Sequence, residues 1–272
     1  MNDKAVRHNA NVHNKVYKKY NLKHSEIYNK HEQGRLNSEV KKLVAKVKSS
    51  KVEVLDFGAG TGNLSLKFLK NECRVCATDV SLKSLKLLKQ ISGNNKELKL
   101  KLLENKEIPF KDNTFDITTT YSVLHHIPDY LFAVREMIRV TKKGGYIFMD
   151  HEGNWNSNPN KSLKQYQKLT HLNRWEYVKM IFRTREVFTF EFLKAVFIKL
   201  FIDKKYQREG DIHVFEDDHI EWDKIKKILK ENNCKIVDDK DHLLYIPRIS
   251  IKQYNYFKEK CNDTKMLIAQ KL

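Results

Sequence analysis

The chain has 272 residues, 40% of them hydrophobic, with 14 Phe, 12 Tyr and 3 Trp. That is apolar material enough for one large domain with an insertion, and it excludes a disordered chain. The net charge of +18 comes from lysines scattered along the whole chain, which reads as a solvated surface ahead of a nucleic-acid or anionic-membrane partner.

No apolar run approaches the roughly 20 residues of a membrane span; "AVFIKLFI" is short and carries Lys199. The opening "MNDKAVRHNANVHNK" has no apolar centre, so no secretory signal is expected, and the location expected is cytoplasmic. Four cysteines are too few for a disulfide framework. "CRVC" at 73–76 falls in a strand pattern, where positions three apart face opposite ways, so it reads as buried structural cysteine and not as a metal pair.

In chain order, Tyr17, Tyr20, His24, Tyr28, His31 and Arg35 come first, at spacings of three or four. As one helix they form a polar-aromatic stripe; alternatively Ser25 caps a fresh helix and splits it. "LNSEVKKLVAKV" puts Leu36, Val40, Leu43 and Val47 on one face, a pattern that covers a sheet. From 51 to 151, strand and helix alternate five times. "KVEVLDFG", "RVCATD", "LKLKLLE", "FDITTTYSV" and "GYIFMDHE" are the strands; "NLSLKFLKN", "SLKSLKLLKQI" (capped by Ser81) and "YLFAVREMIRV" are helices among them. This alternation predicts a mostly parallel sheet with helices on both faces, binding ligand beyond the carboxyl ends of its strands.

After strand five, residues 152–210 hold the loop "NWNSNPN" and helical patterns rich in aromatics: Tyr166, Trp175, Tyr177, Phe182, then Leu193, Val196, Phe197, Leu200 and Phe201. They read equally as an insertion with its own small core and as a lid over an acceptor pocket. "HIEWDKIKKILKENN" is a further helix, and "CKIVDD" and "KMLIAQ" are candidates for antiparallel last strands. The expected domains are a helical cap at 1–50, a core at 51–151 and 211–272, and a helical insertion at 152–210.

The stretch around Gly58, Gly60 and Gly62 joins strand one to a helix whose first amides point outward. Its order is G-x-G-x-G. It lacks the G-x-G-x-x-G of a dinucleotide site and the Lys-Ser/Thr of a P-loop. Asp56, two residues earlier, repels a phosphate and attracts a cation, so the ligand expected is nucleoside-like and positively charged.

"VLDFGAGTGNLS" resembles motif I of the class I S-adenosylmethionine-dependent methyltransferases. "CATDVS", "LLENKEIPFKDNTFDIT", "SVLHHIPD" and "EMIRVTKKGGYIFMD" are similar to that family's following motifs, in order, over residues 51–151; the small-molecule, type 11-like branch matches best. The resemblance implies an α/β, Rossmann-like, mostly parallel seven-stranded sheet with S-adenosyl-L-methionine as cofactor. It implies that Asp56, Gly58, Ala59, Gly60, Gly62 and Asn63 surround the methionine end and ribose, and that Asp79 takes the ribose hydroxyls. Val80, or preferably Leu82, packs on adenine. Glu104, where the family commonly has Asp, and Asn105 meet its edge. Tyr121 and Ser122 lie near the sulfonium. His125, His126, Asp150 and His151 are the candidate bases for an acceptor that must lose a proton, the histidines because they titrate near neutral pH. Tyr17, Tyr20, Tyr28, His31 and Arg35, with Trp155, are the candidate acceptor-lining residues. The acceptor expected is a small molecule, methylated on O, N or C. An RNA methyltransferase is the alternative, favoured by charge and disfavoured by "YSVLHH" where base N-methylases carry Asn-Pro-Pro-Tyr or Asp-Pro-Pro-Tyr. A non-catalytic binding protein is the third reading. No metal-ligand spacing is present.

Overall fold

The computed structural model describes residues 3–17, 24–154, 160–171 and 219–272, with isolated positions between 179 and 214. Its centre is an eight-stranded sheet. Strands β1 (Glu53–Phe57), β2 (Arg74–Asp79), β3 (Leu98–Leu102), β4 (Phe115–Tyr121) and β5 (Thr141–Asn154) are parallel, and β7 (Cys234–His242) and β8 (Thr264–Lys271) complete the order β3-β2-β1-β4-β5-β8-β7. β8 runs antiparallel to both β5 and β7. These seven strands are the Rossmann-like sheet expected. The expected count is corrected by β6 (His219–Ile220), which pairs with the end of β5 off that path.

Alternation along each strand divides the apolar side chains between the two faces. Val54, Ile117, Phe148 and Ile268 pack on one side with Leu36, Val40 and Leu43 of α2 (Lys30–Val44), Phe68 of α3 (Ser65–Lys70) and Leu85 and Leu88 of α4 (Leu82–Ile91). Leu55, Ile147, Met149 and Leu267 pack on the other, against Val134 and Met137 of α5 (Tyr130–Val140) and Ile225 and Leu229 of α7 (Trp222–Glu231). Burying each such side chain contributes about 1.5–3 kcal/mol. All seven residues of β4 are buried, as its central place requires.

Capping residues set where the helices begin. Ser81 accepts from the Ser84 amide at 3.1 Å and starts α4 as expected. In the N-terminal region the stripe is not one helix: α1 spans Asp3–Val16, and α2 starts at Lys30, capped by Asn29, which accepts from the Glu32 amide at 2.9 Å. Ser25 is not the cap; its carbonyl accepts from the Asn29 side chain. Within the expected insertion, α6 (Lys161–Thr170) is described, and Trp175, Tyr177, Val196 and Leu200 lie outside the described residues. Phe182, Leu193, Phe197 and Phe201 are exposed. Tyr166 and Leu163 of α6 join Leu243, Ile249, Tyr254 and Phe257 in a third apolar cluster, formed with the β7–β8 connection and its helix α8 (Ile251–Lys258). Cys73 is buried, Cys76 half-buried, and all four cysteines are free. Among the described residues, no helix is long and apolar enough to cross a membrane, and no cluster of metal-binding side chains occurs.

Candidate functional site

A cavity opens at the carboxyl ends of β1, β2 and β4, where a switch-point ligand binds. Asp56, Gly58, Ala59, Gly60, Asn63, Asp79, Val80, Asn105, Tyr121, Ser122, His126, Tyr17 and Tyr28 line it, so most of the residues singled out from the sequence converge there.

The glycine loop divides its labour. Gly58, Gly60 and Gly62 all have positive φ. A Cβ on Gly62 would fall 2.2 Å from Leu88 Cδ1, and one on Gly58 would fall 2.5 Å from Val123 Cγ2, so these two serve packing. A Cβ on Gly60 would meet nothing within 4 Å: here the bare backbone faces the cavity. Gly62 does not line it, which corrects the expectation for that residue.

Asp79 sits at the end of β2 and is 8% exposed. Its Oδ2 accepts from the Gly60 amide at 2.8 Å and its Oδ1 from the Ser81 amide at 2.7 Å. Each oxygen keeps a further lone pair. Burial raises its pKa, partly offset by His13. Asp56 is committed to the protein: its Oδ2 accepts from the Ser65 amide at 2.9 Å and from the Ser65 hydroxyl at 2.5 Å, and burial pushes its pKa up to about 6.

Other expected residues stand elsewhere. Leu82 is 45% exposed and Glu104 is exposed; neither lines the cavity, whereas Val80, Leu103 and Asn105 do. His125 is buried with Nδ1 2.7 Å from Glu152 Oε2, and Glu152 also accepts the Val123 and Leu124 amides at 2.8 Å each. His125 therefore anchors the turn after β4 and does not reach the cavity. His151, at φ +59°, is buried behind Tyr121, whose hydroxyl lies 2.9 Å from His151 Nδ1 and donates to Glu32 Oε1 at 3.1 Å. Burial lowers His151 to about 4 and His242 to about 3. Arg35 bridges Glu32 and Asp150, at 2.5 Å and 2.9 Å from its Nη2. His31 packs on Tyr254 and Tyr245. Neither Arg35 nor His31 touches the cavity. Tyr20 and Trp155 lie outside the described residues.

Sequence reading missed the roof. Asn9, His13 and Tyr17 recur every fourth residue and present one face of α1 and its end to the cavity. Asn14 ties that helix to α4 by accepting from Ser81 Oγ at 2.9 Å and the Lys83 amide at 3.1 Å, and Asn9 Nδ2 donates to the His126 carbonyl at 3.0 Å. Extending the Tyr17 stripe backwards in steps of four would have found both Asn9 and His13.

Residues 55–149 match the family model described as a methyltransferase domain. Demethylmenaquinone methyltransferase of Staphylococcus aureus is 34% identical over 99 residues, covering 35% of this chain and 41% of that protein. The chain thus spans about two fifths of that relative's length. A SAM-dependent methyltransferase structure from Methanosarcina mazei aligns over 84% of this chain and 96% of its own, with 19% identity and a TM-score of 0.52. The structure of the [4+2]-cyclase SpnF aligns over 86% and 81%, with 14% identity and a TM-score of 0.51. Residues 55–149 are thus similar to a methyltransferase domain, and the fold is the one seen in a SAM-dependent methyltransferase structure. S-adenosyl-L-methionine, the cofactor that the sequence resemblance implies, fits the residues present: the open side of Gly60 lets a ligand reach the backbone, and the Asp79 carboxylate offers two acceptors to a diol.

Proposed function

We propose that this protein transfers a methyl group from S-adenosyl-L-methionine to O, N or C of a small-molecule acceptor. The observation that carries this reading is the character of the cavity. It is roofed by Asn9, His13 and Tyr17 and walled by Tyr28, Tyr121, His126 and Phe132. Among its described lining residues Lys106 is the one Lys or Arg, against Asp56, Asp79 and Asp129. A roofed, aromatic, net acidic chamber suits a small acceptor and repels a phosphate backbone, which demands Lys and Arg along its path.

The bound cofactor supplies an electrophilic methyl on a sulfonium. The chain's task is to hold and orient it and to keep water out. Asp79 and Gly60 would hold the ribose side, and Val80, Leu103 and Phe132 an apolar slot for the base. Tyr121 is kept a neutral phenol, its pKa well above the ordinary value through burial beside Glu32 and Asp150. His126 is the candidate base that lines the cavity; His125 and His151 hold the site's frame through Glu152 and Tyr121.

Titration calorimetry with S-adenosylhomocysteine, followed by transfer of labelled methyl, tests the reading. Acceptors to try are demethylmenaquinone, the compound in the relative's name, a small-molecule extract and bulk tRNA. Micromolar cofactor binding with label in small molecules is the expected result. Label in tRNA would move the function to RNA. Binding without transfer to any acceptor would favour a non-methylating use of the fold, as the cyclase among the structural neighbours illustrates.

A further inference from the structure

The aromatic stretch after strand five takes no part in the cavity, and its described side chains face water. Seven large apolar side chains between 182 and 202 are 56% to 76% exposed, and every other one among the described residues is 55% exposed or less. Phe190, Leu193, Phe197 and Phe201 have helical backbone. Their spacing of three or four puts them within one arc of about 80° at about 3.6 residues per turn. The Phe197 and Phe201 rings lie 5.0 Å apart and belong to none of the three apolar clusters. Single exposed apolar residues are ordinary, whereas a contiguous apolar row marks an interaction surface.

The charge around the row selects the partner. Residues 179–205 carry seven Lys and Arg against three Asp and Glu. Lys179 and Lys194 are exposed, and helical spacing puts Lys194 at the margin of the apolar arc. A second copy of the chain would bring the same cations face to face, on a molecule of net charge +18. RNA matches the cations, but Leu193 and Ile202 have no ring on which a base can stack. A bilayer with anionic headgroups satisfies both features, offering phosphates to the cations and acyl chains to the Phe and Leu side chains. Lys194 and Lys199 interrupt the apolar sequence, which suits a segment lying in the interface and not one crossing it.

We propose that the row of Phe190, Leu193, Phe197 and Phe201 docks on the surface of an anionic phospholipid bilayer, with Lys179 and Lys194 against the headgroup phosphates. The chain beyond the row is tied to the site: the Val214 amide donates to the His125 carbonyl at 2.7 Å, beside cavity-lining His126. Docking therefore tethers the cavity to the membrane surface. None of this depends on the reaction that the cavity performs.

Co-sedimentation of the full chain with vesicles tests this without turnover. One set of vesicles is phosphatidylcholine alone; the other contains about one-third phosphatidylglycerol, an anionic lipid. The wild type should bind the anionic vesicles at least about tenfold more tightly than the neutral ones, and added salt should weaken that binding. The double variant Phe197→Ser, Phe201→Ser should lose about tenfold or more of the affinity for anionic vesicles. Its thermal unfolding should stay within about 2 °C of the wild type, as for exposed side chains. Equal wild-type affinity for the two vesicles overturns the inference with no variant needed. So does a double variant that keeps its vesicle binding, because charge alone would then explain it. A drop in unfolding temperature above about 4 °C would mean that the two rings belong to a core, and overturns it too. Loss in the variant of tRNA binding, or of a dimer seen by light scattering, with vesicle binding intact, would hand the row to RNA or to a second copy.

Discussion

Two polar regions meet at Tyr121 and are built in opposite ways. The cradle around Gly60 and Asp79 faces a cavity and is made mostly of main-chain amides and one carboxylate, drawn from two strand ends that pair with each other. The network behind Tyr121 is closed. Glu32, Arg35, Asp150, His151 and His242 come from α2, β5 and β7, and Glu32 and Asp150 are 1% and 0% exposed. The cradle keeps unused hydrogen-bonding capacity for a ligand, whereas the network spends most of its own on itself. Polar residues near strand ends thus divide into those that wait for a partner and those that already hold one.

The largest test of this contrast is Arg35→Met. It strips the countercharge from two buried carboxylates while keeping most of the side chain's bulk. Leaving such charges unpaired costs about 3–5 kcal/mol, so thermal unfolding should drop by roughly 10 °C. S-adenosylhomocysteine affinity of the folded fraction should stay within threefold. A shift under about 2 °C would show that the network carries little, and a large selective loss of binding would show that it is part of the cradle.

His151 gives the next effect, through pH. Its folded pKa of about 4 lies below the unfolded value near 6.5. The folded state therefore holds fewer protons between these values; the stability is present above pH 6.5 and is lost as pH falls toward 4. The loss over that window is up to about 3 kcal/mol. Denaturant unfolding of the wild type and His151→Gln at a series of pH values should show the variant with the shallower acid limb. Parallel limbs would mean that His151 is not the neutral, buried group described.

On the cradle side, Asp79→Ala should weaken S-adenosylhomocysteine binding by about 30- to 150-fold, as expected for charge-assisted hydrogen bonds worth about 2–3 kcal/mol. Gly60→Ala and Gly62→Ala then separate ligand from packing inside one loop. With 2.2 Å to Leu88 Cδ1, the Cβ at 62 should cost about 1–3 kcal/mol of stability. The Cβ at 60 has room, so its stability cost is limited to roughly 1–2 kcal/mol of left-handed strain, and its larger effect should be on cofactor affinity. If both variants lose only stability, Gly60 is a turn residue and not a ligand contact.

What was legible in the sequence follows the same line. β1 to β5, the Ser81 cap and the glycine loop are set by local pattern: alternation, a capping hydroxyl and glycine. Asp79 was legible because it ends a strand beside that loop. The roles of His125 and His151 were not, because they depend on Glu152, Glu32 and Tyr121, 27 to 119 positions away in the chain or one strand over. A histidine's residue type says that it can titrate; only its partner says whether it is free to act. The β7–β8 connection was equally hidden, since its aromatic side chains find their core against α6, far back in sequence.

The smallest effect concerns the choice between Val80 and Leu82 as the wall for adenine. The family resemblance favoured Leu82. The structure turns that residue outward, 45% exposed, as the first residue of α4, while Val80 stays with the strand end and lines the cavity beside Leu103. The physical reason is the cap. Ser81 must bend the chain so that its hydroxyl meets the Ser84 amide, and that bend carries the next side chain away from the pocket. Val80→Ala should therefore weaken S-adenosylhomocysteine binding about three- to tenfold, the loss of two methyl groups at up to about 0.8 kcal/mol each. Leu82→Ala should leave binding within twofold. The reverse pattern in calorimetry would mean that α4 starts one residue later when the cofactor is bound, and that the cradle is shaped by its ligand in a way the closed network is not.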